Sequence, residues 1–527
     1  MAGGAVAKTR PAILVEVTPS SWGDTAPARR HAARHGAHTV SRLAACAAVA
    51  LVAWANFGLG LAAPAGTIWD ESYYLTSTQR YLEGTAQFAS HPPLGLMLIA
   101  AGERISGANA GIGAHGLALD KKVDGKAVPA GFSFAGPRLA SAIFAVVGAV
   151  AFFLLMESLT GRVATALAFS NLYLFENAFI VQFRAAQLDS FQVAFAILAT
   201  LCFVKAMKRG ARASLWFDLG LGVTCGLATM VKVNAVVLAV LGLMIVLRRI
   251  GLTKDRKMAA GLHAIRDAGF MAAGFLAACA AVFTLHVAVS PHAPDLATPA
   301  GGKDGRYLSG AYAAYLHGRR GLSPAVVAAA AGDYARFMAD DFKGVPRLDP
   351  NGSTPLSWPL GAAGVNYRWD SDGVRTSYVQ LSGNLVGWWI GLASLVAAAA
   401  LLAMPRSAPT GEADRLRRDL MAALLLAYAA FLALHVHLGQ MRVMYLYHYF
   451  IGLMLSFALA PLAFEEILSR WPSGRRMEAP VLGGLTAALL ASFLFYAPLS
   501  YHRPLTYRQC EARNLLHSVV DCVKPER

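Results

Sequence analysis

The feature that most constrains this chain is a series of apolar blocks, each about the 20 residues that a helix needs to cross the hydrocarbon core of a membrane. Only 15% of the 527 residues are charged, against about 25% in soluble domains. The pattern predicts an all-α, polytopic membrane protein with about 11 spans. The predicted spans are 42–63, 138–156, 163–182, 187–206, 213–231, 233–248, 268–290, 386–404, 419–437, 443–464 and 480–499.

The strongly basic balance of the chain, with a formal net charge of +16, has two readings. Nucleic-acid binding would call for a zinc-finger or RNA-binding signature, and none accompanies the charge. Lys and Arg between spans instead orient membrane proteins. With the N-terminus in the cytoplasm, every short, strongly basic loop falls on the cytoplasmic side. The sequence therefore predicts a cytoplasmic N-terminus, a C-terminus outside, and no nucleic-acid partner.

The spans divide the chain into segments with different expected roles. Long outside loops are where a membrane protein of this kind carries function, and a short apolar stretch in the first of them predicts a helix along the interface. In the outside tail, Cys510 and Cys522 suggest a disulfide. The predicted segments are a disordered cytoplasmic tail (1–41), the transmembrane domain (42–465, with outside loops 64–137 and 291–385), the last cytoplasmic loop and final span (466–499) and an outside tail (500–527).

An acidic pair, Asp70 and Glu71, opens the first outside loop directly after a span. From the residues alone two interpretations stay open. Acids are favoured at a helix N-terminus by the helix dipole, and paired carboxylates at a membrane surface also suit acid–base chemistry. About twenty residues further on, His91 precedes two prolines, which hold the chain extended and rigid.

Several charged residues stand at the outside ends of predicted spans. Each alone is typical of a side chain that reaches for the membrane surface. Together, cations and carboxylates on one membrane face indicate a polar site, and Arg and Lys suit a phosphate or pyrophosphate head group. These residues are Arg138, Arg184, Asp189 and Lys232.

The order of these motifs resembles the protein O-mannosyltransferases, which belong to the GT-C glycosyltransferases. The resemblance runs from about residue 60 to 465. Its most specific parts are the acidic pair and the His-Pro-Pro-Leu-Gly sequence. The matching segments are WDE (69–71), HPPLG (91–95), PRLASAIFA (137–145), FENAFIVQFRAAQLDSF (175–191), GLATMVKVN (226–234), STPLSWPLG (353–361), GNLVGWW (383–389) and YLYHYF (445–450).

The resemblance implies a fold and an activity. The fold would be a GT-C bundle of about 11 transmembrane helices, with interfacial helices in the first outside loop and a mixed outer region. The enzyme would move a sugar, mannose by the resemblance, from a polyprenyl- or dolichyl-phosphate carrier to a Ser or Thr hydroxyl of a protein. Transfer would invert the anomeric carbon and take place at the outer face of the inner (plasma) membrane.

The resemblance also implies roles for individual residues. Asp70 would be the general base, and Glu71 would support it or hold the acceptor. His91 would help to shape the pocket. No metal-ligand spacing is visible, although a divalent cation held with the donor phosphate would leave no sequence signal. The remaining predicted donor- and substrate-binding residues are Arg138, Arg184, Lys232 and Asp189.

The chain departs from the family pattern in ways that bear on the acceptor. Ala89-Ser90 and Leu96 stand where the family commonly has Asp and Lys, and Glu176 stands where it commonly has Asp. The loop 291–385 is also too short for the β-trefoil-like domain of eukaryotic members, which favours a divergent, bacterial-type member. Two alternatives remain: an aminoarabinose-type transferase acting on lipid A or another glycolipid, and a secondary transporter, which calls for broken helices in matching halves.

Overall fold

The computed structural model describes residues 26–124, 128–209, 215–252, 257–405, 411–516 and 520–524. The described chain is mainly helical, with one small sheet. The helices are α1 Ala26–Phe57, α2 Glu71–Leu82, α3 Pro93–Ser106, α4 Ala135–Thr160, α5 Val163–Leu174, α6 Asn177–Arg184, α7 Asp189–Lys208, α8 Leu215–Val231, α9 Ala239–Leu252, α10 Lys257–Val289, α11 Pro299–Gly305, α12 Gly310–Leu316, α13 Pro324–Gly344, α14 Leu385–Ala403, α15 Glu412–Gly439, α16 Phe450–Arg470, α17 Glu478–Ser500 and α18 Tyr507–Glu511. The strands are β1 Val365–Ser371, β2 Thr376–Leu381 and β3 Pro504–Leu505.

The predicted membrane bundle is confirmed, but the count of 11 spans is not. Every predicted block falls on a helix. Within the described ranges, nine helices are long and apolar enough to cross a membrane. A tenth span is obtained if α5 and α6, which are bent by 62° at their junction, cross together. Helix α8 is apolar, but its 17 residues make it shorter than these nine candidate spans.

The bend between α5 and α6 has a polar cause. Glu176 stands between α5 and α6 and caps α6, where its carboxylate accepts the N–H of Ala178 at 3.0 Å. The same oxygen accepts the N–H of Asn384 at 2.9 Å, and the Asn384 amide donates to the carbonyl of Phe175 at 2.9 Å. Because backbone groups freed by a break inside a membrane need partners, these bonds satisfy the break and fix its angle.

Segments predicted to lie on one side of the membrane contact one another. The first and second outside loops meet where Ala86 donates to the carbonyl of His292 at 2.8 Å, and His292 donates to Gly84 at 3.0 Å. Strand β3, from the predicted outside tail, pairs with β2. On the cytoplasmic side by prediction, Arg162 forms ion pairs with Glu465 and Glu478. The alternation of sides inferred from the sequence is therefore consistent with the contacts.

The mixed outer region contains a three-stranded antiparallel sheet in the order β1-β2-β3. The pairing of β1 with β2 shifts register between Asn366 and Arg368. The shift leaves Tyr367 as an extra residue on β1, and such a bulge redirects a side chain. Tyr367 is buried, and its hydroxyl reaches into the transmembrane bundle, as described below.

Helices α11 to α13 brace the first outside loop. Phe88 packs against Tyr334 and Phe337, with ring centroids 5.6 and 5.8 Å apart. The Tyr334 hydroxyl also donates to the carbonyl of His91 at 2.8 Å, which fixes the start of the Pro-Pro segment. A short helix predicted along the interface is present as α3, which begins in that segment.

The two ends of the chain differ in what the structure describes. Residues 1–25 of the predicted disordered tail lie outside the described residues, and residues 26–41 belong to α1. In the C-terminal tail, Cys510 and Cys522 form the disulfide that the sequence suggested. The Tyr378 hydroxyl on β2 accepts the N–H of Val523 at 2.9 Å, so the tail is attached to the sheet.

Candidate active site

Asp70 lies at the turn that leads into α2. Its carbonyl accepts the N–H groups of Tyr73 and Tyr74 at 2.9 and 3.1 Å, while its side chain makes no capping hydrogen bond. The preceding residue, Trp69, has a φ of 49°, in the left-handed region that side chains other than glycine rarely adopt. Strained backbone of this kind concentrates at functional sites, and here it leaves the Asp70 carboxylate free to face other side chains.

The environment of Asp70 changes its acidity. Burial raises the pKa of its carboxyl to about 6. The cations of Lys232 and Arg442 oppose the shift, and the negative charge of Asp189 adds to it. The Tyr447 hydroxyl also faces the carboxyl and favours its ionised form. A carboxyl with a pKa close to neutrality is better suited to take a proton than an ordinary aspartate.

Beside Asp70, a chain of hydrogen bonds links the transmembrane bundle to β1. Lys232 Nζ lies 2.7 Å from Asp189 Oδ1, and Gln182 Nε2 donates to Asp189 Oδ2 at 2.6 Å. The Tyr367 hydroxyl then donates to Gln182 Oε1 at 2.6 Å. All four side chains are buried. We call this set, Lys232, Asp189, Gln182 and Tyr367, the polar relay.

Aromatic rings line the same region. The Trp69 ring stacks on Tyr367 at 5.0 Å and meets the edge of Tyr445 at 5.5 Å. Tyr445 in turn stacks on Tyr447 at 5.5 Å, and the Lys232 ammonium lies 5.1 Å from the centre of the Tyr447 ring. These rings combine flat apolar faces with polar tips, which is a suitable surface for a sugar.

Glu71, the other member of the acidic pair, has a different environment. It is fully buried, and its carboxylate is paired with the guanidinium of Arg138 at 2.7 and 2.8 Å. It also accepts the N–H groups of Ile68 at 2.8 Å and Ala186 at 2.7 Å. We call this pair the Glu71–Arg138 clamp. The remaining Arg138 donors bind the carbonyls of Leu61, Pro64 and Gly66 at 2.9, 3.0 and 2.8 Å.

The clamp bears on the predictions for Arg138 and Glu71, which the structure places without testing their roles. Arg138 was expected to contact the donor phosphate, but its guanidinium is 1% exposed and its donors are all used within the chain. Glu71 was expected to support the base or to hold the acceptor. Because the Glu71 carboxylate is buried and bound by Arg138, it holds the turn that carries Asp70, and its expected support of the base stays a prediction.

Arg184 was also predicted to contact the donor phosphate, and the structure places it against backbone carbonyls. Its guanidinium donates to the carbonyls of Leu59 at 2.6 Å and Asn56 at 3.2 Å. It lies over the Tyr501 ring, 5.0 Å from the centre. Arg184 therefore fixes the end of the first span, and in the described chain its hydrogen bonds and ring contact do not involve the residues around Asp70.

His91 lies beside Tyr74 on α2, the helix that follows Asp70, and its expected role in shaping the pocket stays a prediction. Its ring centroid is 6.4 Å from that of Tyr74. Burial lowers the pKa of His91 well below its usual value, and the nearby cations of Lys232 and Arg442 lower it further. The imidazole is therefore neutral at physiological pH, and it offers a hydrogen bond rather than a charge.

Arg442 was missed by the sequence analysis. It stands in the loop between α15 and α16, close enough to Asp70 and His91 to act on the pKa of both. It makes one long hydrogen bond, to the Val443 carbonyl at 3.4 Å, and no ion pair with any residue that the structure describes. The available signal was its position three residues before YLYHYF. We call Asp70, His91, Asp189, Lys232 and Arg442 the Asp70 cluster.

A cavity of about 560 Å³ opens beside Trp69. It lies next to the Asp70 turn and reaches β1 at Tyr367. Its other lining residues are Thr67, Ser72, Lys122, Val123 and Asp124. Among the residues that the structure describes, no group of three or more His, Cys, Asp or Glu side chains is placed to hold a metal ion.

Comparison with known families gives two matches along the chain. Residues 47–288 match the model of dolichyl-phosphate-mannose-protein mannosyltransferase, and residues 335–519 match the C-terminal four-transmembrane region of protein O-mannosyltransferase. A comparison with curated proteins by sequence gives no match.

Among solved structures, the chain is similar to the Saccharomyces cerevisiae protein O-mannosyltransferase Pmt1–Pmt2 complex bound to the sugar donor. The match has 15% identity and a TM-score of 0.72, and it covers 90% of this chain and 92% of that one. Weaker matches are the Archaeoglobus fulgidus oligosaccharyltransferase AglB (12% identity, TM-score 0.45, 92% and 60% covered) and Cupriavidus metallidurans ArnT (14%, 0.33, 82% and 79%).

The family matches and the shared fold agree with the order of motifs in the sequence, and they do not support the transporter alternative. The chain belongs to the protein O-mannosyltransferase family of GT-C membrane glycosyltransferases, and it is a mannosyltransferase of the protein O-mannosylation type.

Proposed function

We propose that this enzyme transfers mannose from a polyprenyl-phosphate carrier to a Ser or Thr hydroxyl of a polypeptide. The observation that carries the proposal is the Asp70 carboxyl, whose pKa is raised to about 6. It faces two cations and adjoins a cavity of about 560 Å³. A base, a site for phosphate and space for an acceptor are what such a transfer requires.

In the proposed reaction, Asp70 takes the proton of the acceptor hydroxyl. The hydroxyl oxygen forms a bond to the anomeric carbon while the bond from that carbon to the phosphate oxygen breaks. The leaving group departs as polyprenyl phosphate with the bonding electrons. Direct displacement inverts the anomeric carbon, so one carboxylate is enough, whereas a hydrolase needs two at a set separation.

The departing phosphate needs positive charge. Arg442 has no ion-pair partner among the described residues, and guanidinium groups bind phosphate through paired hydrogen bonds. Lys232 lies in the same cluster, although Asp189 already neutralises part of its charge. Stabilising the charge that develops on a leaving group is a large catalytic contribution. We therefore assign the phosphate to Arg442 first, with Lys232 and the neutral His91 around it.

The reaction would take place at the outer face of the inner membrane. The support is the distribution of Lys and Arg, which places the short basic loops in the cytoplasm. In that orientation, the loops that carry Asp70, His91 and β1 face outward. Labelling single introduced cysteines with a membrane-impermeant reagent in intact cells tests this orientation, and protection of a cysteine at exposed Val374 would contradict it.

The test of function uses purified full-length protein with polyprenyl-phosphate-mannose and two acceptor pools, Ser/Thr-rich peptides and lipid A. Mass spectrometry then measures an added hexose. We expect hexose on peptide, with a loss of about 10²–10⁴-fold in Asp70→Asn, the range for removing a general base. Because burial disfavours the charged form of Asp70, we expect the variant to unfold no more easily than the parent.

Each other outcome contradicts a defined part of the proposal. Hexose on lipid A alone would replace the protein acceptor with the glycolipid alternative. Equal transfer by both proteins would remove Asp70 from the role of base. Transfer of a different sugar, when several carrier-linked sugars are offered in competition, would overturn the assignment of mannose.

A further inference from the structure

We propose that the acceptor polypeptide binds as an added β-strand along the free edge of β1, and that this edge leads its hydroxyl residue into the cavity beside Trp69. The inference rests on the proposed function, because it concerns how that acceptor is held. It specifies recognition through the peptide backbone of an extended segment, with little demand on the side chains that flank the hydroxyl.

The first support is the open edge itself. In the sheet order β1-β2-β3, strand β1 has a neighbour on one side only. Across the described ranges, the backbone of Val365–Ser371 is hydrogen-bonded to β2 and to no other segment. An unpaired strand edge is a template for another chain, and adding a strand is a common way to bind an extended peptide.

The second support is where the edge leads. The bulge at Tyr367 ends the regular register of β1, so an added strand can pair with Arg368–Ser371 and must leave the edge at Tyr367. The Tyr367 ring stacks on Trp69 at 5.0 Å, and both rings line the cavity. Asp70 follows Trp69 directly, so a peptide that leaves β1 here enters the space next to the base.

The third support is an exposed aromatic side chain on the same strand. Trp369 is 54% exposed, although it lies two residues from buried Tyr367. A large exposed aromatic residue on an open edge indicates a contact surface, since such residues provide binding area at low entropic cost. In the proposed complex, the Trp369 ring packs against the acceptor chain before it reaches the cavity.

Backbone N-methylation of the acceptor peptide provides the test. A series of fluorescent Thr peptides, each methylated at one peptide nitrogen, is measured for binding to the full-length enzyme in nanodiscs and for mannose transfer. In an added strand, successive N–H groups point alternately toward and away from the partner. Methylation at every second position should weaken binding by about five- to tenfold, as expected for one net hydrogen bond, with little effect at the positions between.

The two readouts separate this inference from the proposed function. Alternating effects on binding without any transfer would keep the β1 site and refute the transfer. Transfer without alternation would keep the function and overturn the β1 site. Absence of both binding and transfer would overturn both.

A pair of enzyme variants adds an independent check. Trp369→Ala should raise the KM for peptide about three- to tenfold, consistent with loss of one packed aromatic contact, with kcat and the KM for the donor unchanged. Trp471→Ala is the matched control, because Trp471 is 71% exposed and follows α16, away from the sheet. An unchanged peptide KM in Trp369→Ala would count against the site.

Discussion

The Glu71–Arg138 clamp and the Asp70 cluster meet at one peptide bond, and they treat their carboxylates in opposite ways. Glu71 accepts four hydrogen bonds, two from Arg138 and two from backbone N–H groups. Asp70 makes no capping bond, and burial raises the pKa of its carboxyl to about 6, while the nearby cations Lys232 and Arg442 oppose that shift. Of these two adjacent acids, Glu71 is bound within the chain, and Asp70 is the one that we propose reacts.

The difference teaches how to separate structural from reactive charges in a membrane enzyme. In the clamp, the fully paired guanidinium also gathers carbonyls from the turn between α1 and α2, so its charge holds the chain in place. In the Asp70 cluster, Arg442 has no ion-pair partner among the described residues. A buried charge with complete hydrogen bonding stabilises one conformation, whereas a half-buried cation without an ion-pair partner, such as Arg442, is available to a substrate.

The largest predicted effect tests this comparison by removing the negative charge of the Glu71–Arg138 clamp. Glu71→Gln leaves the Arg138 charge buried without its partner, and removing one member of a buried pair costs about 3–5 kcal/mol. We expect a large fall in the unfolding temperature together with loss of transfer, whereas Asp70→Asn should lose transfer alone. Thermal unfolding in detergent, followed by activity measured well below the lower midpoint, separates the two variants.

A second substitution serves as the control for the clamp. Adding Arg138→Met to Glu71→Gln removes the unpaired charge, so it should recover part of the lost thermal stability. If the double variant is no more stable than Glu71→Gln, the loss does not come from an uncompensated guanidinium.

The next prediction compares two arginines. Arg442→Gln should raise the KM for the carrier-linked sugar or lower kcat by about 10–100-fold, the range for one or two hydrogen bonds to a charged group. Arg184→Gln is the control, because Arg184 binds carbonyls at the end of α1. Steady-state kinetics with varied donor measures both, and a larger donor effect in Arg184→Gln would reverse the assignment.

The pH dependence sharpens the assignment of the base. Burial raises the pKa of Asp70 to about 6, and the base works only when it is ionised. kcat/KM should therefore rise with pH through about 6 and reach a plateau above it. Because Arg442 favours the ionised form, Arg442→Gln should move this limb to higher pH. A limb near 4, or one that does not move in Arg442→Gln, would contradict the arrangement.

Much of the fold was predictable because the length of each apolar block can be read directly from the sequence. The eleven apolar blocks all became helices, and the alternation of basic loops agreed with the contacts between segments. The break at Glu176 was not predicted, since α5 and α6 together read as one apolar block. The bend depends on bonds to Asn384, some two hundred residues away, and sequence periodicity carries no information on such a contact.

The site was predicted less evenly, for a related reason. The sequence placed Asp70, His91, Asp189 and Lys232 on one membrane face, and the structure brings them together. The sequence could not show that the N–H groups of Arg138 bind the carbonyls of a turn. Every residue has a backbone carbonyl, so such a partner leaves no signal in the sequence. Arg442 was overlooked because one cation near a span end resembles any other until its neighbours are known.

The smallest predicted effect concerns the polar relay. Tyr367→Phe removes the hydroxyl that donates to Gln182 Oε1 at 2.6 Å, while the ring that stacks on Trp69 is kept. Gln182 can then turn, and it loses its fixed hold on Asp189, which pairs with Lys232. We expect kcat/KM to fall about two- to fivefold, as for one neutral hydrogen bond, with the KM for peptide unchanged because the aromatic surface remains.

Tyr378→Phe is the matched control for this last variant. Tyr378 lies on the neighbouring strand β2, is also buried, and accepts the N–H of Val523 at 2.9 Å. The Tyr378→Phe variant therefore also loses one hydroxyl hydrogen bond, here one that the hydroxyl accepts, without touching the relay. Both variants should lose a similar amount of thermal stability, but only Tyr367→Phe should slow transfer. Equal transfer rates in the two variants would mean that the polar relay supports the fold alone. The geometry of the Asp70 cluster would then depend on the Glu71–Arg138 clamp.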